Sequence, residues 1–265
     1  MTLKYVSKRI LFIMKLFILF LASILTFSLI TVGCKEDKNQ NKRKVVIDPE
    51  KQSEFDNLVS AINASTPSDS GVSLRYQNEN NVSKQLNLYL YENIECTKWV
   101  YEEIKDGLMS KTTSYYFNKG KLFHSSETTF SENSVYQTNS YYNEKMEGIY
   151  SSERSSENYL DIEKTALKPR TFINHNFKEC LDLKDSKGEF SLKFVELINF
   201  EGIDFIRLGQ KENSGFWTDL IVPQMTDSIS NLGKSKENMG KPIKISFQTK
   251  KINGIDFQEL RTLSY

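Results

Sequence analysis

Between residues 72 and 155 apolar and polar side chains alternate with period two, the pattern of strands that turn one face to a core. The run 84–91 is the clearest, with Leu86, Leu88 and Leu90 on one side and Asn87, Tyr89 and Tyr91 on the other. Similar runs predict strands at 97–104, 108–117, 121–129, 134–142 and 146–152, with Asn118-Lys119-Gly120 as a tight hairpin connection. Upstream the spacing is helical. Asp48-Pro49-Glu50 reads as an N-cap, a proline at the first helical position and an acid in the first turn. Phe55, Leu58, Val59 and Ile62 then predict an amphipathic helix over 49–63, ended by the loop 64–71.

The strand region contains a repeat. Residues 114–127 (SYYFNKGKLFHSSE) and 140–153 (SYYNEKMEGIYSSE) align without gaps at an offset of 26, which fits an antiparallel meander built by hairpin duplication. Residues 157–176 lose the pattern and include Pro169, so a domain boundary is expected at 165/166. Beyond it, strands are predicted at 190–199, 203–208, 216–222, 242–250 and 255–263, with a helix or long loop at 225–238. The predicted fold class is mainly β (α+β). A helix packs on an antiparallel meander (48–165), and a small OB-like β-barrel domain (166–265) follows, since five strands with a helix between the third and fourth suit that barrel.

The N-terminal segment has a different character. Lys15 is followed by the apolar run 16–32, then Gly33-Cys34 and the charged triplet Lys35-Glu36-Asp37. A cationic start, a short apolar core and small residues before the cut make a secretory signal. Gly33-Cys34 resembles the end of the lipobox of bacterial lipoproteins, with Thr31 where that family usually carries an aliphatic residue. The resemblance implies removal of residues 1–34 up to a lipidated Cys34, which becomes the mature N-terminus and carries the fatty-acyl anchor. Lys35-Glu36-Asp37 is similar to the acidic export tag of surface lipoproteins, which implies an outer-membrane, surface-exposed address. Residues 35–47 then serve as a polar tether.

Composition narrows the function. Without residues 1–34 the chain carries a net charge of −3, so no nucleic-acid partner is expected. Capture of nucleic acid or oligosaccharide by the C-terminal region would need Arg207, Lys241, Lys244, Lys250 and Lys251 to gather beside Phe216 or Trp217. With Cys34 acylated, Cys96 and Cys180 are left either as a candidate disulfide or as two separate buried thiols.

No nucleotide-binding glycine loop, zinc-protease motif or nucleophile elbow occurs, and no cofactor is expected. His124 lies in a predicted strand beside Ser125, Ser126 and Glu127, where successive side chains face opposite ways, a poor geometry for a triad. His175, with Glu179 and Cys180, offers too few ligands for a metal, and none is expected. Tyr115, Tyr116, Tyr141, Tyr142 and Tyr150 form a candidate binding surface for a protein or glycan, or else act as ordinary strand formers. The expected role is a membrane-anchored, non-enzymatic binding or envelope-associated module, with no catalytic residue assigned. A hydrolase of envelope or extracellular polymer and an inhibitor or immunity-type protein are the alternatives.

Overall fold

The computed structural model describes residues 48–210, 215–252 and 254–265. The signal-like segment, Cys34 and the tether lie outside the described residues. The chain opens with helix α1 (Pro49–Ala64), strand β1 (Asp69–Val72) and strand β2 (Tyr76–Gln77). An antiparallel meander follows: β3 (Val82–Tyr91), β4 (Cys96–Lys105), β5 (Leu108–Asn118), β6 (Lys121–Ser131), β7 (Ser134–Tyr142) and β8 (Gly148–Ser156). A short strand β9 (Lys168–Arg170) and helix α2 (Phe177–Lys184) come next. Then come β10 (Phe194–Phe200), β11 (Ile203–Gly209), β12 (Trp217–Ile221), helix α3 (Asp227–Lys234), β13 (Lys244–Ile252) and β14 (Ile255–Ser264).

These strands form one sheet, in the order β10-β11-β12-β2-β3-β4-β5-β6-β7-β8-β9. At β12 it forks: Trp217 pairs with Gln77 of β2, and Ile221 pairs in parallel with Glu259 of β14, which carries β13. The two end strands of the main path pair with one neighbour each, so the sheet is open and is not a closed barrel. No break falls at 165/166. The described residues cohere as one unit, and a single apolar cluster joins Leu86, Tyr101 and Tyr115 to Phe190, Ile206, Leu220 and Leu260.

Helix α1 begins where Asp48 accepts a hydrogen bond from the Glu50 amide at 3.1 Å and Pro49 presets the first turn. Its side chains Phe55, Leu58, Val59 and Ile62 meet Tyr91, Cys96, Tyr116 and Phe123 of the sheet. The opposite face of the meander is covered by residues 172–183, with Phe172, Phe177, Cys180 and Leu183 set against Trp99, Tyr115, Phe117 and Tyr142. Burying each large apolar side chain contributes about 1.5–3 kcal/mol, so both covers stabilise the meander substantially. Among the described residues no helix is long and apolar enough to cross a membrane.

The β5–β6 hairpin turns at Lys119 and Gly120, both with positive φ, the geometry of a two-residue connection that matches strand twist. Gly209 is held more tightly. Its φ is +140°, and a side-chain carbon there would collide with the Phe216 carbonyl and the Trp217 backbone, neither of which can yield cheaply. Gly209→Ala is expected to destabilise the fold by about 1–3 kcal/mol in urea unfolding. An unchanged midpoint would mean that the β11–β12 junction is looser than this packing.

Candidate functional site

Strand alternation places Tyr115, Ser125, Ser140 and Ser151 in one cross-strand row on the α2 side of the sheet. The segment before α2 lies along this row. Ser140 donates to the Ile173 carbonyl at 2.8 Å, and the Ile173 amide donates to Ser151 Oγ at 3.0 Å, so serines replace the strand that this backbone lacks. Ser125 Oγ then lies 2.7 Å from His175 Nδ1 and 3.1 Å from the Tyr142 hydroxyl. Ser125 is fully buried and His175 is 2 % exposed. Burial pushes the His175 imidazole below its ordinary pKa; Glu127 opposes this, while Lys111 and Arg170 add to it. A serine beside a neutral histidine has the components of a nucleophile and its base, but the pair is sealed from solvent and His175 Nε2 has no partner among the described residues.

Next to it, Glu179 on α2 accepts from Lys84 at 2.6 Å and from the Tyr101 hydroxyl at 2.9 Å, and the same hydroxyl lies 3.2 Å from Glu103. Two carboxylates sharing one phenol are the nearest approach to an acid pair on this face. Burial pushes the Glu179 carboxyl up, but the hydrogen bond and charge of Lys84, the Tyr101 hydrogen bond and the charge of Lys111 together outweigh it, and the group stays below the usual carboxylate range. Glu179 is therefore an ionised clamp between helix and sheet, not a proton donor held neutral by its surroundings.

A cleft of about 650 Å³ opens between the first turns of α1 and the β5–β6 and β7–β8 connections. Phe55 and Phe123 contribute aromatic surface, while Glu50, Glu54 and Lys121 are among the charges at its rim. Among the described residues no group of three or more His, Cys, Asp or Glu is arranged to hold a metal ion.

The residues singled out from the sequence are dispersed. Tyr115 and Tyr142 belong to the core on the α2 side, Tyr116 and Tyr141 lie beneath α1, and all four are at most 4 % exposed. Tyr150 is half-buried and stacks near Tyr141, with centroids 5.6 Å apart. Tyr115, Tyr116, Tyr141 and Tyr142 are core rings rather than a docking surface, because at these positions α1 covers one face and residues 172–183 the other. Cys96 and Cys180 are free and buried in different apolar clusters, on opposite faces of the sheet, which replaces the candidate disulfide with two separate thiols. Burial pushes the Cys180 thiol up to about 12.

Of the basic residues considered for the C-terminal region, Arg207 is held by Asp219 and Glu196 and stacks over Trp217 at 5.2 Å, while Lys250 is paired with Glu259. Phe216 is buried. The Ser125–His175 contact had no sequence signal, since its partners lie fifty positions apart in segments of unlike pattern. No protein-family model, curated protein or solved structure matches the chain.

Two measurements check this arrangement. His124, wedged between Tyr116 and Tyr141, is pushed down to about 3 by burial and by His175. For both histidines the folded state takes up protons less readily than the unfolded chain, with its pKa near 6.5. Stability is thus full above pH 6.5 and falls as the pH drops below it, by up to about 1.4 kcal/mol per pH unit for each group that protonates on unfolding. His124→Phe is expected to flatten that slope in urea titrations between pH 7 and 4; an unaltered slope would place the proton uptake elsewhere. A thiol reagent should label Cys96 and Cys180 only after unfolding, with no reductant needed, whereas a requirement for reductant would restore the bridge.

Proposed function

We propose that the chain is a lipid-anchored protein of the bacterial outer membrane, exposed at the surface, whose folded region binds a ligand without transforming it. The address rests on the apolar run 16–32 ending in Gly33-Cys34 and on the acidic triplet that follows. The observation that carries the binding reading is the burial of Ser125 and His175, the pair best suited to nucleophilic chemistry. Their hydrogen bonds dock the chain before α2 onto the sheet, which is structural work. The ionised state of Glu179 likewise gives no support to the polymer-hydrolase alternative, which needs a carboxyl that holds its proton.

Within the fold, the C-terminal strands are read as an OB-like arrangement. In support, β10, β11, β12, β14 and β13 are neighbours in that order, α3 lies between the third and fourth in sequence, and the Ile243 amide donates to the Leu192 carbonyl at 2.9 Å. The partner is taken to be a protein or a glycan presented outside the cell.

Mass spectrometry of the mature N-terminus and protease treatment of intact cells test the address. The expected result is an acylated Cys34 and digestion without lysis, with Cys34→Ser moving the protein from the detergent phase to the aqueous phase. A mature chain starting elsewhere, or protection in intact cells, would overturn the surface-lipoprotein reading.

A further inference from the structure

On the α1 side of the meander, beyond the helix, two cross-strand rows run side by side. One joins Ser114, Ser126 and Asn139, and the next joins Thr112, Thr128 and Gln137. All six side chains are half-buried, and none is charged. The solvent face of an antiparallel sheet is ordinarily polar, and that alone explains hydroxyl and amide groups. Here six adjacent positions carry no charge, in a chain of which 26 % is charged.

The charges that do occur stand at the row ends and are engaged. Glu102 accepts from Asn87, and Arg154 donates to Gln137 and pairs with Glu163. Within the array Gln137 also donates to Ser126 at 3.2 Å. Ser152 continues the first row beside Asn139. It is 1 % exposed, and its hydroxyl has no partner among the described residues, so a polar group that would ordinarily be satisfied stands at the margin of the array. Along the strands, beyond Thr128 and Gln137, the Phe130 ring lies tilted against Tyr159 with centroids 5.4 Å apart, and Tyr159 is 56 % exposed.

We propose that this face binds a neutral oligosaccharide. The inference rests on the reading of the chain as a binding protein. Neighbouring strands space the hydroxyl and amide groups at about 4.8 Å, so the array offers closely set donors and acceptors to a ligand that carries hydroxyls on every unit. Tyr159 supplies a ring edge or face for the apolar side of a sugar. A charged peptide would find no counter-ion on the floor, and an apolar segment would desolvate hydroxyls without replacing their bonds.

The test is affinity electrophoresis of the full chain in non-ionic detergent, in native gels containing dextran, laminarin, xyloglucan or amylopectin, with alginate as the anionic comparison. At least one neutral polymer should retard the protein. Asn139→Arg and Thr112→Glu should each raise the polymer concentration for half-retardation at least tenfold, Tyr159→Ala should raise it less, and Lys244→Ala should not change it. Thermal melting checks that the variants stay folded, and two floor variants guard against one that does not. No retardation by any of the four polymers, or retardation that both floor variants leave intact, overturns the proposal. Retardation by alginate alone also overturns it, while leaving the tethered-binding reading in place.

Discussion

Two elements cover the aromatic rows of the meander, α1 on one face and residues 172–183 on the other, and most of the structure follows from that constraint. A sheet with one face in water needs apolar side chains at alternate positions only. Here both sets of alternate positions carry large rings, and many of the rings are tyrosines whose hydroxyls reach the covering elements. Tyr116 donates to Asn63 at 3.1 Å and Tyr141 to Asp56 at 2.9 Å, both on α1. On the opposite side Tyr101 donates to Glu179, and Tyr76 reaches Ser186. Leaving a buried hydroxyl unpaired costs about 1–3 kcal/mol, so these contacts fix where each helix sits as well as adding stability.

The same logic explains how the two halves of the chain become one body. Strand β2 is only two residues long, yet it lies between β3 and β12 and joins them. Gln77 donates to Asp219 across that junction at 3.1 Å, and on the inner side the rings of Tyr76, Phe190 and Phe216 meet at a tilt in succession, with centroids 5.1 and 5.3 Å apart. Lys84 lies 4.5 Å from the Phe216 ring centroid while paired with Glu179, so β3, α2 and the segment before β12 meet around one ammonium group. Cleaving the chain at 165/166 would expose apolar surface on both sides of this joint.

What could be read from the sequence was local. Asp48-Pro49 marks the start of α1 because capping is decided within one turn, and the period-two runs locate β3 to β8 to within a few residues because alternation is a property of each strand alone. The spacing shows that Tyr115 and Tyr116 point to opposite faces, but not that both rings are covered. Helix α2 escaped notice because it has eight residues in a stretch that otherwise lacks periodicity, and its contacts are made with strands some eighty positions earlier. The separation of Cys96 from Cys180 depends on which side of the sheet each occupies, which requires the pairing register. The polar array beside α1 was hidden for a related reason: Ser114, Ser126 and Asn139 become neighbours only when three strands align.

Because one core serves both halves, they should unfold together. The chain has two tryptophans, Trp99 in the meander and Trp217 in β12, so each half carries its own reporter. The direct measurement is urea unfolding of Trp99→Phe and Trp217→Phe, following the remaining tryptophan by fluorescence and the whole chain by circular dichroism. The account predicts that the two signals coincide in midpoint and slope within each variant. A tryptophan transition separated from the circular dichroism curve in either variant would show two bodies with independent cores, and would contradict it.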